Sequence, residues 1–202
     1  MQIRLNEKEI TVDNDTTLHR LRDQHKPEAD VTIHNGHLVR DDAKLSDGDS
    51  VVLIKRGEKP SEGEMEALLL ARHTPGIHEK LKPATVGIAG VGGLGSSVAT
   101  ALARSGVGRL IVADFDVVEP SNLNRQQFFV DQIGLPKVDA LKENLKRINP
   151  YVQVAPFFGR LDRDNIAQVF GRVDVLVEAF DSAEQKAMLV ETFRRQFPGL
   201  PL

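Results

Sequence analysis

The sequence predicts a doubly wound α/β unit with a mostly parallel sheet, preceded by a small α+β unit over residues 1–57. Three observations predict it. From Thr85 onward, apolar strand-like runs alternate with helix-like stretches. A glycine-rich turn separates the first of those runs from its helix. Residues 1–57 show a different pattern, in which short alternating runs surround one short helix.

In the first unit, Ile3-Arg4-Leu5 and Ile10-Thr11-Val12 alternate apolar and polar residues across the turn-prone Asn6-Glu7-Lys8, which reads as a hairpin. Thr16 to Gln24 carries Leu18 and Leu21 at helical spacing, and Pro27 closes it. Val31-Thr32-Ile33 is strand-like and leads into Asn35-Gly36. After the turn signal Leu45-Ser46-Asp47-Gly48-Asp49, Val51-Val52-Leu53-Ile54 reads as a buried final strand. Hairpin, helix, strand, strand is the order of a β-grasp (ubiquitin-like) domain.

Residues 58–80 read as a linker and helix. Ser61 with Glu64 three residues later forms a capping-box signature, and the helix is expected to stop near Pro75-Gly76. The larger domain then covers residues 81–202. Its expected strands are 85–89, 109–114, 152–158 and 173–180, and its expected helices 95–104, 137–148, 164–170 and 183–197. Continuously apolar strands such as Leu110-Ile111-Val112-Ala113 suit a parallel sheet covered on both faces.

Composition narrows the function. Charged residues make up 27% and the net charge is -3, so a broad basic surface for nucleic acid or membrane is not expected and any anion site must be local. No cysteine is present, which excludes disulfides, cysteine-based zinc sites and a thiol nucleophile within these residues. Histidines are scattered, and His34 with His37 is the nearest approach to a ligand pair; without cysteine or nearby carboxylates it reads as turn or surface. The N-terminus lacks the apolar stretch of a signal peptide, and no run approaches the length of a membrane span. A cytoplasmic location is expected.

Gly90-Val91-Gly92-Gly93-Leu94-Gly95 follows the first strand of the larger domain, with Gly90, Gly92 and Gly95 meeting the G-x-G-x-x-G spacing. Such a turn lets backbone N–H groups and a helix N-terminus approach phosphates. Asp114 ends the next strand 19 residues beyond Gly95, near the offset at which a carboxylate accepts from a ribose hydroxyl. Those two features alone also fit an NAD(P)-binding oxidoreductase module.

The following segment, Asp114-Phe115-Asp116-Val117-Val118-Glu119-Pro120-Ser121-Asn122-Leu123-Asn124-Arg125-Gln126, and then Ile133-Gly134, Lys137 and Asp181, resembles the ThiF and MoeB adenylyltransferases, relatives of the ubiquitin-activating enzymes. The resemblance spans residues 85–195, and it implies a Rossmann-like domain that binds ATP and Mg²⁺. Gly90, Gly92, Gly93 and Gly95 would cradle the nucleotide, Asp114 would bind ribose, and Asn122 and Gln126 would lie beside it. Arg125 and Lys137 would neutralise the phosphates, and Asp181 would hold the metal. Singly, these charges also fit surface positions, Asp181 also fits a helix N-cap, Asn122 a turn, and Asp116 a loop support.

The implied reaction is adenylation of the C-terminal glycine carboxylate of a separate ubiquitin-like sulfur carrier, with thiamine biosynthesis as the implied pathway and a homodimer as the implied assembly. Arg72 is a candidate for the arginine that family members lend across a dimer interface. The first unit resembles ThiS-type carriers through Asp47-Gly48-Asp49-Ser50-Val51-Val52, but Lys55-Arg56-Gly57-Glu58 runs on where a carrier ends in Gly-Gly. Pro198-Gly199-Leu200-Pro201-Leu202 stops where another strand of the family sheet would begin, so the larger domain is expected to be incomplete at that end. A scaffold that binds the carrier without catalysis is the third reading.

Overall fold

A computed structural model describes residues 1–70 and 76–202, and the chain divides into two compact units, residues 1–75 and 76–202. Among the described residues, no helix is long and apolar enough to cross a membrane.

The first unit holds β1 (Gln2–Leu5), β2 (Lys8–Thr11), α1 (Leu18–His25), β3 (Val31–His34), β4 (His37–Val39), β5 (Ser50–Ile54) and α2 (Glu62–Leu70). Its sheet runs β2-β1-β5-β3-β4, with β1 and β5 parallel and the other pairs antiparallel. Leu18 and Leu21 of α1 are buried with Ile3, Leu5, Val51 and Leu53, so the helix lies across one face of the sheet as the β-grasp order requires. Burying each such leucine contributes about 1.5–3 kcal/mol. Thr17 caps α1 by accepting the Arg20 N–H.

β4 is not among the expected strands. At three residues it is too short to show a period, yet its turn was visible: Asn35 (φ 48°) and Gly36 (φ 83°) both take positive φ, and His34 pairs with His37. His34 is a strut, because its Nε2 lies 2.8 Å from the Asp49 carboxylate. The Ser61–Glu64 capping box forms, with Glu64 accepting from both the N–H and the hydroxyl of Ser61 at 2.8 Å. Those bonds hold the Glu64 carboxyl below its ordinary range. The expected helix end near Pro75 lies outside the described residues.

The second unit runs α3 (Ile77–Leu81), β6 (Thr85–Ala89), α4 (Gly93–Arg104), β7 (Arg109–Asp114), α5 (Lys137–Ile148), β8 (Gln153–Phe158), α6 (Ile166–Phe170), β9 (Val175–Glu178) and α7 (Ala183–Gln196). Its strands are all parallel in the order β8-β7-β6-β9. One core packs α4 and α5 on one face, around Ile88, Leu110, Val112, Leu141 and Leu145. The other packs α6 and α7 on the opposite face, around Ile111, Phe170, Leu176, Leu189 and Phe193. This is the doubly wound arrangement.

From β6 the chain steps outward to β7 and β8, then returns to the other side of β6 as β9. That reversal opens a crevice at the carboxyl ends of β6 and β9, where sheets of this kind bind ligands.

Candidate nucleotide site

A cavity of about 510 Å³ occupies that crevice. Gly90, Gly92, Gly93, Asp114, Asn122, Arg125, Gln126, Lys137 and Asp181 all line it, so nine of the ten site residues expected from sequence meet in one place.

The tenth, Gly95, does not line the cavity. A Cβ on Gly95 would stand 1.9 Å from the Gly90 carbonyl oxygen and 3.2 Å from the Ala179 Cβ. Gly95 is therefore the point at which α4 closes onto the loop and β9, and its lack of a side chain serves packing. α4 also starts at Gly93, two residues earlier than the sequence pattern indicates, so the glycines themselves form its first turn. The N–H groups of a first turn have no partner inside their helix. Gly90 takes φ 90°, and a Cβ there would meet the Ala179 carbonyl at 2.9 Å.

Asp114, at the end of β7, is buried and fastened at both oxygens. It accepts the Val91 N–H at 2.8 Å and the Asp116 N–H at 2.9 Å. One carboxylate thus ties the glycine loop to the following segment, and each oxygen keeps a lone pair for a ribose hydroxyl.

The segment after β7 is organised by short-range bonds. Asn122 accepts the Glu119 N–H at 3.0 Å, closing a single turn of 3-10 helix, so it both shapes the turn and faces the cavity. Arg125 is exposed and donates to the Ser121 carbonyl at 3.1 Å and the Asn124 side chain at 3.0 Å. A Cβ on Gly93 would sit 3.7 Å from the Arg125 Cγ, which places the arginine beside the glycine loop. Gln126 is buried, and its Oε1 has no hydrogen-bond partner among the described residues. A buried amide oxygen left unpaired costs about 1–3 kcal/mol.

Lys137 opens α5 and is only 6% exposed, with its Nζ 2.8 Å from the Asp116 carboxylate. The pairing joins residues 21 apart in sequence. Asp181 is exposed at the opposite wall, and Ser182, not Asp181, caps α7 by accepting the Gln185 N–H. The Asp181 carboxylate is thereby left to the cavity.

Sequence reasoning did not single out Phe115, Gly159, Leu161 or Phe180, which also line the cavity. Their signal is positional, since each lies within a few residues of the carboxyl end of a strand. Arg160 covers the Phe115 ring at 4.7 Å. Arg72 lies outside the described residues.

The donors fit a nucleotide phosphate chain. Two cations and a helix N-terminus face a surface left open by three glycines. They also fit Mg²⁺, an ion that keeps waters and phosphate oxygens and asks only one or two carboxylates of the protein. Asp181 is such a carboxylate; a closed protein cage would need more, and no group of three or more candidate ligands exists among the described residues.

Comparison with known proteins agrees with this geometry. The molybdopterin-synthase adenylyltransferase of Haemophilus influenzae is 37% identical over 112 residues, which cover 55% of this chain and 46% of that protein. The SAMP-activating enzyme E1 of Haloferax volcanii is 39% identical over 124 residues, covering 61% of this chain and 45% of that protein. The chain therefore spans less than half the length of these curated relatives. The crystal structure of E. coli tRNA N6-threonylcarbamoyladenosine dehydratase in complex with ATP superposes with a TM-score of 0.65 at 30% identity, covering 70% of this chain and 59% of that one. The ThiS-like ubiquitin model matches residues 1–57, and the ThiF family model matches residues 66–194. With the family model covering most of its length and its motif residues gathered in one crevice, the chain belongs to the ThiF family.

Proposed function

We propose that this protein uses Mg-ATP to adenylate the C-terminal glycine carboxylate of a separate ubiquitin-like sulfur carrier. The observation that carries the reading is the single cavity into which Arg125, Lys137 and Asp181 converge beside the glycine loop. In this reading Asp114 accepts a ribose hydroxyl, while the first turn of α4 and the Arg125 guanidinium receive phosphate oxygens. Lys137 adds a point charge, and the Gln126 side chain lies beside the nucleotide.

Asp181 would hold Mg²⁺, which neutralises phosphate charge and fixes the orientation of the phosphates. The carrier carboxylate attacks the α-phosphorus, the bond to pyrophosphate breaks, and an acyl-adenylate forms. An ionised carboxylate needs no base, so the protein contributes orientation and charge neutralisation, which a site without cysteine can supply. Removing one such electrostatic contact costs about 3–4 kcal/mol of transition-state stabilisation.

Relatives carry names that refer to molybdopterin synthase, SAMP and tRNA threonylcarbamoyladenosine. The ThiS-like match of residues 1–57 supports a carrier of the ThiS kind, and so a place in thiamine biosynthesis. A homodimer in the cytoplasm completes the reading, on the strength of the family resemblance.

The test is ATP–pyrophosphate exchange with a Gly-Gly carrier, beside calorimetry of ATP against NADH. Exchange should require both Mg²⁺ and the carrier, and Asp181→Ala should raise the Mg²⁺ needed while leaving metal-free ATP binding unchanged. Tighter binding of NADH than of ATP would select the oxidoreductase reading. ATP binding without exchange would select the scaffold.

A further inference from the structure

Lys137 stands in a confined place at the edge of the cavity. It is 6% exposed, so its ammonium has lost most of its hydration. It is also the first residue of α5, beside the partial positive charge of that helix's N-terminus. Among the described residues its ammonium is paired with the Asp116 carboxylate at 2.8 Å.

The backbone of Asp116 is itself fixed. Its N–H donates to Asp114 at 2.9 Å, and its carbonyl accepts the Lys137 N–H at 3.0 Å. Around it, the Val118 N–H donates to Leu135 and the Gly134 N–H to Val118, clamping the Asp116 segment to the start of α5. A continuous chain of bonds therefore runs from the Val91 N–H through Asp114 and Asp116 to the Lys137 ammonium. The glycine loop and the lysine, 46 residues apart, are registered through two aspartates.

We propose that Asp116 is the positioning residue for Lys137, holding the ammonium against the cavity so that it is aimed at the triphosphate before the nucleotide arrives. Asp116 takes one of the three ammonium donors and leaves the others for phosphate. Asp116 lines the cavity as well, with its side chain about half exposed; the role proposed for it is to act through Lys137, and it rests on the reading of the cavity as an ATP site. Preorganised charge of this kind avoids reorganisation when the ligand binds.

The experiment is calorimetry of the full chain with ATP and with AMP, without metal, for Asp116→Ala, Asp116→Asn, Asp116→Glu, Lys137→Ala and the Asp116→Ala/Lys137→Ala pair. Loss of a charge-assisted hydrogen bond should weaken ATP binding in Asp116→Ala and Asp116→Asn by about 10- to 100-fold. AMP affinity should stay within about twofold, showing an intact fold and ribose site. Asp116→Glu should regain part of the loss, and the double variant should bind ATP no more weakly than Lys137→Ala, as expected of residues acting as one unit.

Additive losses in the double variant would overturn the proposal, since Asp116 would then act independently of Lys137, for instance on a metal. Tighter ATP binding by Asp116→Asn would overturn it too, because Asp116 would be no more than a like charge beside the phosphates. An equal loss of AMP and ATP would reduce Asp116 to a structural support. If the unsubstituted protein binds no ATP, the failure lies with the reading of the cavity.

Discussion

The Asp114 carboxylate accepts the Val91 N–H at 2.8 Å, so the residue that ends β7 also holds the glycine loop that follows β6. Its other oxygen accepts the Asp116 N–H, and the residue is nearly buried. Neighbouring parallel strands bring these groups together, with Ala89 opposite Ala113 in the register.

Asp114→Ala should therefore damage stability and binding together. Two backbone N–H groups lose a charged acceptor in a buried place, which costs about 1.5–3 kcal/mol per bond at most. Urea unfolding should show a lower midpoint, and calorimetry should show ATP affinity reduced at least tenfold, or about 1.4 kcal/mol. Unchanged ATP affinity in a folded variant would remove Asp114 from the ribose site.

Two glycines of one helix turn should behave oppositely. Gly95→Ala drives a Cβ to 1.9 Å from the Gly90 carbonyl, and the required backbone shift should cost about 1–3 kcal/mol or more. Gly93→Ala meets only Arg125, at 3.7 Å, and gains helix propensity of up to about 1 kcal/mol. Thermal unfolding should rank Gly93→Ala at or above the unsubstituted protein and Gly95→Ala well below it. Gly93→Ala should still lose ATP affinity, because its methyl covers backbone that lines the cavity.

In the β-grasp unit, partial burial opposes ionisation of Asp49. Hydrogen bonds from Asn35, the Ser46 N–H and His34 outweigh it and hold the carboxyl below its ordinary range. A depressed carboxyl stabilises the fold above its unfolded value, near pH 4, and that contribution drains away as pH falls through the lower folded value. Asp49→Asn should cost about 1–3 kcal/mol at neutral pH. NMR-monitored urea unfolding, followed at the β5 amides, should show the gap between the two proteins narrowing as pH falls below about 4. A gap that does not narrow at all on acidification would assign the effect to shape instead of charge.

Much of the fold was legible because each element reports its own burial. The boundaries of β6, β7 and α5 follow from apolar runs and spacing, and those of β8, β9 and α7 fall within a few residues of expectation. β4 escaped because three residues carry too little pattern, and α3 because it follows directly on Pro75-Gly76, which reads as the end of a helix. The candidate site was legible to the extent that its chemistry is contiguous, from the glycine loop through the run that starts at Asp114.

By itself, then, the sequence determined most of the strands and helices and the charged groups that line one cavity, since these depend on local spacing and residue type. Only the tertiary structure decided that Gly95 packs beneath the loop while Gly93 lines the cavity, that Gln126 is buried with an unpaired oxygen, and that Asp116 pairs with Lys137. Strand order and the close approach of loops across the sheet set those distances. No period within a single segment encodes them.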